Sequence, residues 1–183
     1  MKSKPIIIVA GEPNSIFLEI FFKTIKTNKF RSPLVLICSL SVLKLHMKKL
    51  NFKKKLNLIN YKNIQNYELD NKSINLINVE NKKITSFKKI SKNSNEYIKN
   101  SFEIGFKLLK MGYTNKFING PVSKKTFLNK KYLGITEYIS KKFSSKKTCM
   151  LIYNEELSVC PITTHLPLKF VTKNINKKNI LNK

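Results

Sequence analysis

The 183 residues carry 36 Lys and Arg against 10 Asp and Glu, a formal charge of +26, and 42% of them are hydrophobic. That length is enough for one domain with a real core, and no apolar run reaches the roughly 18 residues needed to span a bilayer, so a soluble, cytoplasmic protein is expected. The charge raises nucleic acid as a partner, but lysine is spread over almost every segment and Arg31 is the only arginine. With no aromatic-interleaved basic stripe, the charge reads instead as a lysine-coated surface that also suits a small anionic substrate.

Ile6 to Val9 is a continuous β-branched run, the pattern of a buried parallel strand. Gly11 to Ser15 is a turn in which Asn14 or Ser15 can cap the next helix. Ile16 to Thr27 reads as that helix, with Phe17, Ile20, Phe21 and Ile25 at helical spacing. Pro33 to Ser39 is a second buried strand, and Val42 to Leu50 a second helix with Val42, Leu45, Met47 and Leu50 inward. His46, among lysines, is read as a surface residue. Leu56 to Ile59 is a short strand. Residues 60 to 92, rich in Asn and Lys, are a less regular excursion with a strand at Ile74 to Val79 and a partly extended stretch at Ile84 to Lys89.

Ser94 to Met111 is a long helix, capped by Ser94 or Asn95 and ended by Gly112. Lys116 to Asn119 is a strand running into Gly120-Pro121-Val122-Ser123-Lys124, and Phe127 to Asn129 closes a short helix. Ile135 to Phe143 is a further helix. Cys149 to Tyr153 and Leu157 to Ile162 read as two strands around an Asn154-Glu155-Glu156 turn, and Lys169 to Asn182 begins a last helix. This order predicts α/β: a largely parallel sheet flanked by helices, with an antiparallel hairpin arm. No linker or repeat divides residues 1–183, which are expected to form a single α/β unit. Cys38, Cys149 and Cys160 are widely spaced, without a CxxC pair, and read as reduced core thiols.

Three loops follow strands: Gly11 to Ser15, Gly120 to Lys124, and Thr163 to Pro167. In a parallel sheet all three open on the carboxyl edge, where ligands bind. Glycine allows backbone to approach a ligand and helix starts offer N–H groups to an anion. Lys124 adds a charge suited to phosphate, Thr136 a hydroxyl and Glu137 a carboxylate. His165 could bond nearby backbone or ligate a divalent metal. There is no GxGxxG, P-loop or GxSxG, and no Ser-His-Asp set can be assembled.

Taken in order, Gly-Glu-Pro at 11–13, Asn-Gly-Pro-Val-Ser-Lys at 119–124, Gly-Ile-Thr-Glu-Tyr at 134–138, Glu-Glu-Leu-Ser-Val at 155–159 and Thr-Thr-His-Leu-Pro-Leu at 163–168 form a specific combination. The chain resembles the N-terminal half of the 4-hydroxythreonine-4-phosphate dehydrogenase family of vitamin B6 biosynthesis, most closely over 115–170. The resemblance implies an incomplete fold of the isocitrate and isopropylmalate dehydrogenase type and a homodimer when complete. It also implies oxidation of 4-phosphooxy-L-threonine by NAD or NADP, followed by decarboxylation to 3-amino-2-oxopropyl phosphate. It further implies a divalent metal (zinc, magnesium or cobalt), with His165 the first of three histidine ligands, and Thr136 as a substrate-binding residue. Lys124 and Glu12 match positions expected near the cleft. The partner is then a small phosphorylated amino acid, with neither nucleic acid nor membrane.

The chain also departs from that pattern. Ile135 stands where the family usually has a substrate-binding histidine, and the first loop lacks the family's later glycines and proline. The other metal histidines of the family lie beyond the matching region, so this fragment alone is expected to be inactive. A non-catalytic remnant or binding protein that keeps the fold is the alternative reading.

Overall fold

The computed structural model describes residues 3–81, 90, 92–129, 131–143, 148–164 and 166–181. The chain forms two compact units, Met1–Phe127 and Leu128–Lys183.

The first unit is built on five strands, β1 (Ile6–Val9), β2 (Leu34–Cys38), β3 (Leu56–Leu58), β4 (Ile74–Asn78) and β5 (Lys116–Asn119), in the order β3-β4-β2-β1-β5. Every pairing is parallel. Three helices accompany them: α1 (Phe17–Thr27), α2 (Leu40–Lys49) and α3 (Asn95–Lys110). Side chains alternate across the sheet, so Ile8, Leu36 and Leu76 pack with Leu18, Phe22, Val42 and Leu43 of α1 and α2. Their neighbours Ile7, Val9, Val35 and Ile37 are fully buried as well. Strands buried on both faces are why these segments read as unbroken apolar runs. Val9 meets α3 at Gly105, where a Cβ would stand 3.3 Å from its Cγ2 and 2.6 Å from the Phe117 ring. A glycine inside a helix costs about 1 kcal/mol; here it admits that ring.

Several expectations are corrected. On α1 the inward residues are Leu18, Phe21 and Phe22, with Phe17 and Ile25 partly buried, and Ile20 is 51% exposed. At 100° per residue Leu18, Phe21, Phe22 and Ile25 fall on one side of the helix and Ile20 falls opposite Leu18. On α2 the buried residues are Val42, Leu43 and His46, while Leu50 points out. His46 is therefore not a surface residue; it is 6% exposed, and it hydrogen-bonds the Pro13 carbonyl. Ser94 does not cap α3 with its side chain, which instead donates to Glu12 Oε1 at 3.0 Å. Cys38 is a core thiol, but Cys149 and Cys160 are exposed. A 3-10 helix, Tyr61–Asn66, occupies part of the Asn-rich excursion. The extended stretch expected at 84–89 lies outside the described residues.

The second unit contains α4 (Ile135–Lys142), α5 (Val171–Asn174) and α6 (Lys177–Leu181). The expected hairpin of two strands reduces to one antiparallel bridge, in which Ile152 and Val159 exchange both backbone bonds at 2.8 Å. The last helix is broken: Ile175 is extended (φ −90°, ψ 97°), and Asn176 Oδ1 accepts from Asn179 N at 2.9 Å to restart it. Asparagine side chains compete with helical hydrogen bonds in this way.

Candidate active site

In the first unit the strand order reverses at β1, which has β2 on one side and β5 on the other. The carboxyl edge at such a reversal is where open α/β sheets bind ligands. Here the two loops that leave that edge are bonded to each other. Gly120 N donates to Val9 O at 2.7 Å and Glu12 N to Pro121 O at 2.8 Å. A Cβ on Gly11 would stand 2.4 Å from Pro121 O, and one on Gly120 2.1 Å from Ala10 O. Gly11 also has φ +74°, which disfavours side chains. The freedom of both glycines is thus spent on loop–loop packing. Glu12 is 2% exposed and turned to the start of α3; burial pushes its carboxyl pKa up, against the lowering effect of bonds from Ser94 and the Asn14 backbone. Lys124 is exposed in a turn closed by Phe127 N to Ser123 O at 2.9 Å and Thr126 N to Ser123 Oγ at 3.1 Å.

In the second unit Thr136 and Glu137 stand on the first turn of α4, after Gly134. The Glu137 carboxylate folds back over Gly134, with Oε2 3.0 Å from where a Cβ would be. A carboxylate at a helix N-terminus is stabilised by the dipole. One turn on, Ser140 and Lys141 share that face, because residues four apart are neighbours on a helix. These four residues, with Thr148, Met150 and Thr164, line a cavity of about 290 Å³. The hydroxyls of Ser140 and Thr148 are 2.7 Å apart. The Ile-Thr-Glu and Thr-Thr-His segments therefore meet at Thr164, while His165 itself lies outside the described residues. Chemically, the cavity offers hydroxyls that donate and accept, one carboxylate and one ammonium. That set suits a small polar molecule bearing both charges.

A family model described as pyridoxal phosphate biosynthetic protein PdxA matches residues 29–183. The chain belongs to the PdxA family. A 52-residue segment is 42% identical to the 4-hydroxythreonine-4-phosphate dehydrogenase of Aquifex aeolicus, covering 28% of this chain and 16% of that protein. A 65-residue segment is 35% identical to the enzyme of the same name from Sulfurihydrogenibium sp., covering 34% and 20% respectively. Among solved structures, the 4-hydroxythreonine-4-phosphate dehydrogenase of Klebsiella pneumoniae superposes with a TM-score of 0.81 at 20% identity, over 98% of this chain and 57% of that one. The Burkholderia phymatum enzyme gives 0.83 at 16% identity, over 97% and 55%. The chain thus spans little more than half the length of these solved PdxA-family structures, and at such identities the likeness establishes the α/β fold.

Sequence reasoning missed Ser140, Lys141 and Thr148 as cavity residues. The first two were accessible from the four-residue spacing to Thr136 and Glu137. Thr148 was not, because only folding brings it beside α4. Among the described residues, no three His, Cys, Asp or Glu side chains are grouped so as to hold a metal ion.

Proposed function

We propose that this chain carries the substrate-binding part of a PdxA-family dehydrogenase acting on 4-phosphooxy-L-threonine. The complete protein would use NAD or NADP with a divalent metal, and decarboxylation would ensue. The observation that supports this most is the shared cavity of Thr136, Glu137 and Thr164, the last adjacent to His165. In this reading Thr136 hydrogen-bonds the substrate and Glu137 faces its ammonium. Lys141 contributes a positive charge toward its acidic groups, and the same reading assigns Lys124 and Glu12 to substrate binding.

The described residues do not make a full metal site. At the first loop, the close backbone approach a dinucleotide pyrophosphate would need at Gly11 is already taken by Pro121 and Gly120. In the whole protein His165 would be one donor of a metal that polarises the alcohol. Homodimerisation belongs to the same reading. No helix among the described residues is long and apolar enough to cross a membrane.

The test is NADH formation from 4-phosphooxy-L-threonine by the complete, folded protein, with zinc, magnesium or cobalt added. Loss of activity in His165→Ala is expected. The second reading, a non-catalytic binding protein, is favoured by Ile135, which puts an alkyl group at the first position of α4. It prevails if the folded complete protein binds the substrate yet forms no NADH with any of the metals.

A further inference from the structure

A separate cavity of about 580 Å³ opens at the amino edge of the sheet, where α1 ends and β2 and β4 begin. It lies at the end of the strands away from the Gly11 and Gly120 loops. Five cations line it: Lys26, Lys29, Arg31, Lys54 and Lys72. Among the described residues none of the five forms an ion pair. The one carboxylate in the lining, Asp70, is engaged by its own turn, its Oδ1 accepting from Lys72 N at 3.0 Å and Ser73 N at 3.1 Å. The lining also includes the apolar Phe21, Ile25, Leu34 and Ile74, beside the polar Thr27 and Asn28.

The walls are pinned before any ligand arrives. Asn71 Nδ2 donates to Phe30 O at 2.9 Å and Ser32 O at 3.0 Å, and its Oδ1 accepts from Leu34 N at 2.9 Å. Asn75 Nδ2 donates to Leu34 O at 2.9 Å and Asp70 O at 2.6 Å. Segments 30–34 and 70–75 are thereby stitched together, which fixes the backbone of that wall. Its volume falls in the range of small-molecule sites, about 300–1,000 Å³. A guanidinium fork with several ammonium groups matches a compact dianion such as phosphate. Apolar side chains in the same lining suit a ligand that also has an apolar body.

We propose that this cavity binds a phosphorylated small molecule with an apolar ring, at a site distinct from the candidate active site. The proposal does not depend on the dehydrogenase reading. The experiment titrates the whole chain with phenyl phosphate, inorganic phosphate, phenol and benzoate by calorimetry. Phenyl phosphate is expected to bind one per chain, at least about tenfold more tightly than any of the other three, a difference of about 1.4 kcal/mol. The double substitution Arg31→Gln and Lys72→Gln, both at exposed positions, is expected to weaken it by at least about tenfold. Ile25→Asn should weaken phenyl phosphate without changing inorganic phosphate, and Lys62→Gln, outside the cavity, should change nothing. Circular dichroism checks that each variant is folded. Equal affinity for phenyl and inorganic phosphate, or indifference to the double substitution, would overturn the site in favour of diffuse charge. Benzoate binding as tightly as phenyl phosphate would overturn the phosphate assignment.

Discussion

Replacing Gly120 by alanine tests whether the two carboxyl-edge loops are held by backbone contact. The added Cβ would stand 2.1 Å from Ala10 O, 2.7 Å from Ala10 C and 3.0 Å from the Phe17 ring. The first two are backbone atoms at the end of β1, so no side-chain rotation relieves them. Overpacking of this kind costs about 1–3 kcal/mol. Moving the loop away also lengthens the Gly120 N to Val9 O bond, now 2.7 Å, for about 1 kcal/mol more. The expected loss is roughly 2–4 kcal/mol, which at a urea slope of about 2 kcal/mol/M lowers the midpoint by about 1–2 M. Gly112→Ala is the control: it has φ +70° but no atom within 4 Å, so only the backbone conformation opposes it, at about 1–2 kcal/mol. Urea unfolding monitored by circular dichroism measures both. If Gly120→Ala is as stable as the parent, or no worse than Gly112→Ala, the loops are not packed as described.

Phe102→Ala removes a fully buried ring that lies 5.6 Å from Phe106 and 6.0 Å from both Phe117 and Phe127; a loss of about 3–5 kcal/mol is expected in the same assay. Cys38 is fully buried and its thiol is pushed up to about 12 by burial, while Cys149 and Cys160 are exposed. A disulfide reagent at mildly alkaline pH should therefore titrate two thiols in the native chain and the third on unfolding; three native thiols would contradict the burial. Burial also lowers the pKa of His46. The unfolded chain then binds the extra proton first, so this group's contribution to stability is present above the ordinary histidine value of about 6.5 and is lost as pH falls toward the folded value. His46→Gln should flatten the stability profile over that interval, and an unchanged profile would refute the burial effect. On the proposed dehydrogenase reading, Thr136→Val should lower kcat/KM by about tenfold to a hundredfold, the range for losing one hydrogen bond to a charged substrate; an unchanged kcat/KM would place substrate elsewhere.

The parallel sheet was legible because strands covered on both faces are mostly apolar, and β1 and β2 read that way throughout; β4 carries one buried polar residue, Asn75, whose amide donates to Leu34 O and Asp70 O. The long helix α3 was legible from its spacing and from Gly112. The motif segments could be found in the one-dimensional order of residues, and so could the family they resemble. Helix faces were less secure: α1 has apolar residues on more than one side, and the sheet covers the side of Leu18, Phe21 and Phe22, which leaves Ile20 in solvent. A lysine-rich neighbourhood likewise hid the burial of His46. The hairpin was over-read, because alternating apolar residues at 149–162 match a strand pattern that only one bridge realises.

What the amino-acid order determined by itself is local: which stretches are extended or helical, and which chemical groups are available. Tertiary structure alone decided which groups meet. It set Thr164 and Thr148 beside the α4 face that carries Thr136, and it turned Glu12 toward Ser94, 82 positions away. It also drew five cations and several apolar side chains into one cavity at the amino edge of the sheet. The physical reason is that hydrophobic burial is non-directional. Residue pattern can say which faces must be covered, but steric fit and backbone hydrogen bonding choose what covers them.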